Sequence, residues 1–280
     1  MRTIKEHVMT LDTPWVIEAD DLDAILNKPD TCVIDLSSSE RYQFEHIPTA
    51  ISLDYSSIVK NTPPILGLIP DATEFERALS ERGISPDSYI VAYDGEGSGK
   101  AARLLWTLEI AGHKKMSLLN GGINAWKKQN KPTTTKIPEI IQSIYKLSFH
   151  NQEGVADAEE ILTQLVDAKT CVLDVRSKDE YLGKDIRAKR AGHIPGAVNL
   201  DWIELKDKNN PLHLKPENEL QQMLETIGIT KEKNIITHCQ SHHRSALMYV
   251  TLKSLGFEKV KGYPGSWSDW ANRDDTPIEI

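Results

Sequence analysis

The sequence predicts an α/β protein made of two tandem domains, each a mainly parallel sheet with helices on both faces. Three observations predict it. Short apolar strand runs alternate with helical stretches along the whole chain, the pattern of a sheet wrapped by helices. Signatures of the first half recur in the second. The length of 280 residues suits two domains of ordinary size, each able to bury its own core.

In the first half, residues 32–36, 89–93 and 116–119 read as buried strands, and residues 73–82 as a helix with apolar positions at helical spacing. In the second half the corresponding strands are 171–175, 234–238 and 259–262, with helices over 217–227 and from Ser245 onward. Cys32-Val-Ile-Asp35 recurs as Cys171-Val-Leu-Asp174, and His46-Ile-Pro-Thr-Ala50 as His193-Ile-Pro-Gly-Ala197. Leu119-Asn-Gly-Gly-Ile-Asn-Ala-Trp126 is answered by Tyr263-Pro-Gly-Ser-Trp-Ser-Asp-Trp270. Units of half a chain are whole domains, not solenoid repeats. Between them, residues 127–141 are polar and threonine-rich and carry Pro132 and Pro138, a linker composition. The expected division is a first domain over 1–130, a linker over 131–145 and a second domain over 146–280.

The richest stretch is Asn-Ile-Ile-Thr-His-Cys-Gln-Ser-His-His-Arg-Ser, residues 234–245. It places Cys239 at a strand-to-helix turn, where backbone N–H groups without helical partners converge and the helix dipole adds positive charge. A thiol in that cradle ionises more readily than a free cysteine. Arg244 has a fixed charge, and His242 and His243 are expected to add more near neutral pH, with no acid between His238 and Arg244. A lone cysteine after a strand is usually a small buried hydrophobe. The His-His-Arg run beside this one favours a sulfur nucleophile facing an anion. A zinc site from His238, Cys239, His242 and His243 is disfavoured, because adjacent histidines diverge and no second ligand cluster has metal spacing.

The same position in the first half is Asp94, in the loop Asp94-Gly-Glu-Gly-Ser-Gly-Lys100. A carboxylate cannot replace a thiolate in sulfur chemistry, so the first domain is expected to be inactive and to close one side of the cleft. That loop is not a phosphate-binding P-loop, since its glycine spacing is too short and Ala101 follows Lys100 where Ser or Thr is needed. The second domain also carries an insertion, Lys184-Asp-Ile-Arg-Ala-Lys-Arg190, whose cations leave the same end of the sheet as the Cys239 loop. It is expected to steer an anionic substrate.

Lys plus Arg number 33 against 41 Asp plus Glu, for a net charge of −8, which disfavours nucleic acid or an anionic membrane as partner. Three cysteines are no disulfide framework and fit a reducing compartment. The start, Met1-Arg-Thr-Ile-Lys-Glu-His7, lacks the apolar core of a secretory signal. The expectation is a cytoplasmic protein without cofactor or metal, acting as a monomer.

The duplicated half, the cysteine in the last half only, His193-Ile-Pro-Gly-Ala197 and Gly265-Ser-Trp267 together resemble the tandem-domain rhodaneses, the thiosulfate:cyanide sulfurtransferases. The likeness covers nearly the whole chain and is nearest to the bacterial branch with a Cys-Gln-(Ser or Thr)-His-His-Arg-Ser loop. It implies two rhodanese-like domains, a first with Asp94 in place of the cysteine, and a second whose Cys239 cycles between thiolate and persulfide. The donor is a small anion, thiosulfate or 3-mercaptopyruvate, and the acceptor cyanide or a thiol. Backbone N–H groups of Gln240, Ser241, His242, His243, Arg244 and Ser245 would hold the persulfide, while His242, His243 and Arg244 would orient the sulfonate. Arg176 matches the first arginine of an Asp-x-Arg motif and is expected to bind substrate or brace the loop. Glu180 stands where a second substrate arginine is common. Trp202 is the tryptophan best placed to wall the cleft, with Trp267 and Trp270 read as packing. A phosphatase is disfavoured, because four residues rather than five separate Cys239 from Arg244. A persulfide carrier serving a protein partner needs the same loop and stays open.

Overall fold

The computed structural model describes residues 13–147, 149 and 152–280; the N-terminal stretch read above for a targeting signal lies outside them. The first domain runs β1 (Val16–Ile17), α1 (Ala19–Ile25), β2 (Thr31–Asp35), α2 (Ser39–Phe44), β3 (Ile51–Ser52), β4 (Lys60–Thr62), β5 (Ile65–Leu68), α3 (Ala72–Ser80), β6 (Tyr89–Tyr93), α4 (Gly99–Ile110), β7 (Met116–Leu119) and α5 (Gly122–Lys128). Its main sheet has the order β1-β7-β6-β2-β3, and every pairing is parallel.

The second domain repeats the plan with α6 (Ala158–Gln164), β8 (Thr170–Asp174), α7 (Lys178–Tyr181), β9 (Val198–Asn199), β10 (Lys206–Asp207), β11 (Asn210–Leu214), α8 (Glu217–Thr226), β12 (Asn234–His238), α9 (Arg244–Ser254), β13 (Val260–Gly262) and α10 (Ser266–Trp270). Its parallel sheet is β13-β12-β8-β9, and a parallel bridge from Val155 to Gly262 takes the edge that β1 holds in the first domain.

Helices cover both faces of each sheet, which is why β6 is a continuous apolar run and both β6 and β12 are buried along nearly their whole length. Each domain has a private apolar cluster, with Leu22, Val33 and Trp126 in the first and Val172, Ile236, Trp267 and Trp270 in the second. A third cluster crosses between them. It draws on Leu105 and Trp106 of α4 and on Met248 and Tyr249 of α9, and those two helices pack on one another. Helices apolar on all sides belong in an interior. Here that interior is the domain interface.

Two antiparallel hairpins, β4–β5 and β10–β11, were not expected from the sequence, because in each a strand of two or three polar residues pairs with a short strand that shows no clean alternation. Each reaches across to the other domain. Leu66 N–H donates to Ser268 Oγ at 2.9 Å, and Leu214 N–H donates to Asn120 Oδ1 at 2.9 Å. The connecting segment follows α5, which extends to Lys128. It then lies along the first domain: Thr134 pairs with His46, Ser143 N–H donates to the Ser80 carbonyl, and the buried Tyr145 hydroxyl bonds His113 Nδ1 at 2.6 Å. No helix among the described residues is long and apolar enough to cross a membrane.

Candidate active site

β12 ends at His238 and α9 begins at Arg244, so residues 239–243 form the turn between them. The turn is held from behind by the segment that opens α10. Ser266 Oγ accepts from Cys239 N–H at 3.3 Å and His242 N–H at 3.1 Å and donates to the Tyr263 carbonyl at 2.7 Å. Trp267 N–H and Ser268 N–H donate to the Cys239 and Gln240 carbonyls, each at 3.0 Å. The outward carbonyls of the turn are thus tied down, which leaves its remaining N–H groups to converge on the sulfur.

Cys239 is buried, with 1% of its surface exposed. Burial alone pushes its thiol up. The charge of Arg244, the Ser245 hydroxyl and the backbone N–H groups of Ser245 and Ser241 outweigh that and hold it below the ordinary cysteine value. The other two cysteines go the opposite way: burial pushes Cys32 up to about 12 and raises Cys171.

The first domain supplies an internal comparison. Asp94 Oδ1 accepts from the N–H groups of Glu96 and Ser98, both at 2.8 Å, and Oδ2 from those of Lys100 at 3.0 Å and Ala101 at 3.1 Å. Glu96 and Lys100 occupy the places of Ser241 and Ser245. The first-domain loop is therefore an anion cradle filled by its own side chain.

Around Cys239 the side chains depart from the sequence reading in four places. Arg244 does not stand free: its fork binds Glu180 through Nη1–Oε2 at 2.6 Å and Nη2–Oε1 at 2.8 Å. Burial pushes the Glu180 carboxyl up, but that fork and the Ser177 N–H hold it at about 2. Glu180 thus fixes the guanidinium beside Cys239. His242 is fully buried in a left-handed turn (φ +52°), its Nδ1 2.7 Å from Ser245 Oγ and its ring edge-on to Trp106 at 4.4 Å. His243 packs beside Tyr55 at 5.5 Å and Trp202 at 6.4 Å. Burial lowers both histidines, His242 far below its usual value, so neither carries the expected charge near neutral pH. His242 is packed away completely, whereas His243 keeps part of its surface open.

Arg176 is buried, bonded to Asp174 through Nη2–Oδ2 at 2.6 Å and to the Gly192 carbonyl at 2.9 Å, with its guanidinium 4.2 Å over Trp267. It ties the end of β8 to Gly192 and Trp267, and its guanidinium is taken up by those partners. The basic insertion is also mostly committed. Arg190 donates to the Trp270, Ala271 and Thr276 carbonyls and to Thr276 Oγ1, and Lys189 pairs with Asp274. Only Arg187 borders the site: it lies 3.7 Å from Glu180, and its carbonyl accepts from Gln240 Nε2 at 3.1 Å.

The first domain forms the opposite wall. A Cβ on Gly97 in the Asp94 loop would lie 3.3 Å from the Trp202 ring, so Trp202 packs close to that loop across the interface. Tyr55 occupies the matching short helical turn of the first domain and packs on His243. A Cβ on Gly67 would lie 2.0 Å from the Ser241 carbonyl oxygen, so the β4–β5 hairpin rests directly on the loop. Tyr55, Gly67 and Ser266 escaped the sequence reading as site residues, although the repeated Gly-Ser-Trp segment was a signal for the last. Among the described residues no group of three His, Cys, Asp or Glu side chains is placed to hold a metal ion.

The model of the rhodanese-like domain matches residues 18–129 and again 157–273. The chain belongs to the rhodanese family. Among curated rhodanese relatives, the thiosulfate sulfurtransferase of Azotobacter vinelandii is 40% identical over 95% of this chain and 97% of its own length. That of Pseudomonas aeruginosa is 38% identical over 96% and 98%. A solved 3-mercaptopyruvate sulfotransferase with the rhodanese fold, from Escherichia coli, superposes with a TM-score of 0.79 at 28% identity, covering 92% of this chain and all of that one.

Proposed function

We propose that this rhodanese is a thiosulfate sulfurtransferase that carries sulfur as a persulfide on Cys239. One observation carries the reading: N–H groups that hold a carboxylate in the first loop are aimed, in the second, at a thiol whose ionised form they favour. The Cys239 thiolate attacks the outer sulfur of thiosulfate. A new S–S bond forms, the old one breaks, and its electron pair leaves with sulfite. Cyanide or a thiol then attacks the outer sulfur of the persulfide, and the second S–S bond breaks with its pair returning to Cys239. Both states of the enzyme are anions at the same point, so one cradle of N–H groups serves both half-reactions.

Gln240, Ser241, His243 and Arg244 are the partly exposed residues of the loop and would contact the donor; Ser245 acts through the thiol and His242 through packing. Arg187 is the insertion cation placed to meet an incoming anion. Three cysteines without a disulfide suit a reducing, cytoplasmic setting. Both walls of the cleft come from one chain, which suits a monomer.

The test is thiocyanate formation from cyanide with thiosulfate and, separately, with 3-mercaptopyruvate. Faster turnover with thiosulfate and none in Cys239→Ser is the expected result. Preference for mercaptopyruvate reassigns the donor, and no transfer from either leaves a persulfide carrier.

A further inference from the structure

Arg103 lies in α4 of the inactive domain and is fully buried. Its guanidinium donates to the Leu68 carbonyl at 3.0 Å, the His242 carbonyl at 3.4 Å and Thr107 Oγ1 at 3.3 Å, and it sits 4.8 Å over the Trp106 ring. All those acceptors are neutral. Among the described residues no carboxylate forms an ion pair with it, whereas the equally buried Arg176 has Asp174. A buried charge without a partner costs several kcal/mol, roughly, so a fold that keeps one needs an anion for it.

The acidic groups that act on Arg103 are Tyr55 and Cys239. Burial pushes the Tyr55 phenol up to about 12, so it stays neutral at working pH. The other ionisable groups around the loop are His242, His243, Arg244, the first-domain Asp94 and Lys100 beside His243 and, behind Cys239, His238 with Asp174 and Arg176; Asp94 is held by the N–H groups of its own loop. Burial lowers the three histidines, Glu180 answers Arg244, and Asp174 answers Arg176. The domain duplication sharpens the point. Met248 of α9 holds the place of Arg103 relative to its helix start, and it faces a domain whose anion, Asp94, is satisfied by its own N–H groups.

We infer that Arg103 is a positioning residue through which the inactive domain places an uncompensated positive charge behind the His242 carbonyl, with the Cys239 thiolate or persulfide as its counter-ion. The two domains then share one active site electrostatically, not only sterically. The inference rests on Cys239 working as an anionic sulfur nucleophile. Its test uses the free thiol, so it stands apart from the question of donor.

The experiment measures the apparent pKa of Cys239 in the full chain from the pH dependence of iodoacetamide reaction and of thiolate ultraviolet absorbance. Arg103→Gln keeps a donor and removes the charge; it is expected to raise the value by at least about 0.3 pH unit, roughly twofold less thiolate below both values. Arg103→Lys keeps the charge and is expected to stay close to wild type. An unchanged value in Arg103→Gln, or equal shifts in the Gln and Lys variants, overturns the inference and leaves Arg103 a packing residue. Arg103→Met, copying Met248, is the second neutral variant. If neither neutral variant folds, each is remade with Cys239→Ser: folding recovered there supports the charge pairing, and failure there overturns it.

Discussion

Glu180→Gln separates the two things that Glu180 does, namely holding Arg244 and countering its charge. Gln keeps the shape and one acceptor but loses the carboxylate. In the folded protein the Glu180 carboxyl sits at about 2 against a usual 4.5, held down against burial chiefly by the Arg244 fork. Each pH unit of that gap is worth about 1.4 kcal/mol, so the pair contributes roughly 3 kcal/mol at neutral pH. Glu180 is 2% exposed, so solvent screening removes little of this. The folded value is the lower one, so the stabilisation is complete above about pH 4.5 and fades as pH falls towards about 2. At pH 7 the variant should melt roughly 6–12 °C below wild type, at about 2–4 °C per kcal/mol. The gap should narrow steadily in melts at successively lower pH below about 4.5, because wild-type Glu180 then takes up its proton. A gap that stays constant from pH 7 down to about 3 would refute the reasoning, since it would mean that shape and not charge links Glu180 to Arg244.

Iodoacetamide at neutral pH is expected to label Cys239 alone, because burial raises Cys32 and Cys171 while the loop lowers Cys239; an adduct at either other cysteine in the mass spectrum contradicts this. Gly67→Ala pushes a methyl onto the Ser241 carbonyl, at 2.0 Å before relaxation, from a backbone at φ +70°. It should slow sulfur transfer by about tenfold or more through displacement of the loop, read as kcat for thiocyanate formation. Arg190→Ala should lower the melting temperature, costing about 2–4 kcal/mol for its lost carbonyl contacts, and leave KM for thiosulfate unchanged. Arg187→Ala should do the reverse, raising KM about twofold at low salt and not at high salt, as expected of an exposed steering charge.

Much of the fold was legible because parallel strands covered on both faces must be continuous apolar runs. The strands at 89–93, 116–119 and 234–238 fall where periodicity put them. The hairpins at Lys60–Leu68 and Lys206–Leu214 were not, since their strands are too short to carry a local pattern and are tied to the opposite domain. The same limit applied to the site. The turn between β12 and α9 placed Cys239, and the turn alone produces the N–H cradle. The charges of His242 and His243 were misjudged because a neutral or cationic imidazole is decided by burial, and their burial comes from Trp106, Tyr55 and Trp202, far away in sequence.

By itself the sequence determined two copies of one α/β plan, with Cys239 in one copy where the other has Asp94, and a thiol at a helix start. These follow from local periodicity and from the chemistry of single residues. Only the tertiary structure decided which cations are available: Arg244 is held by Glu180, Arg176 by Asp174, Arg190 by the C-terminal carbonyls, and Arg103 arrives from the other domain with no carboxylate paired to it among the described residues. The physical reason is that a side chain's charge acts according to its partners and its distance from water, and both are set by packing between segments that the sequence keeps apart.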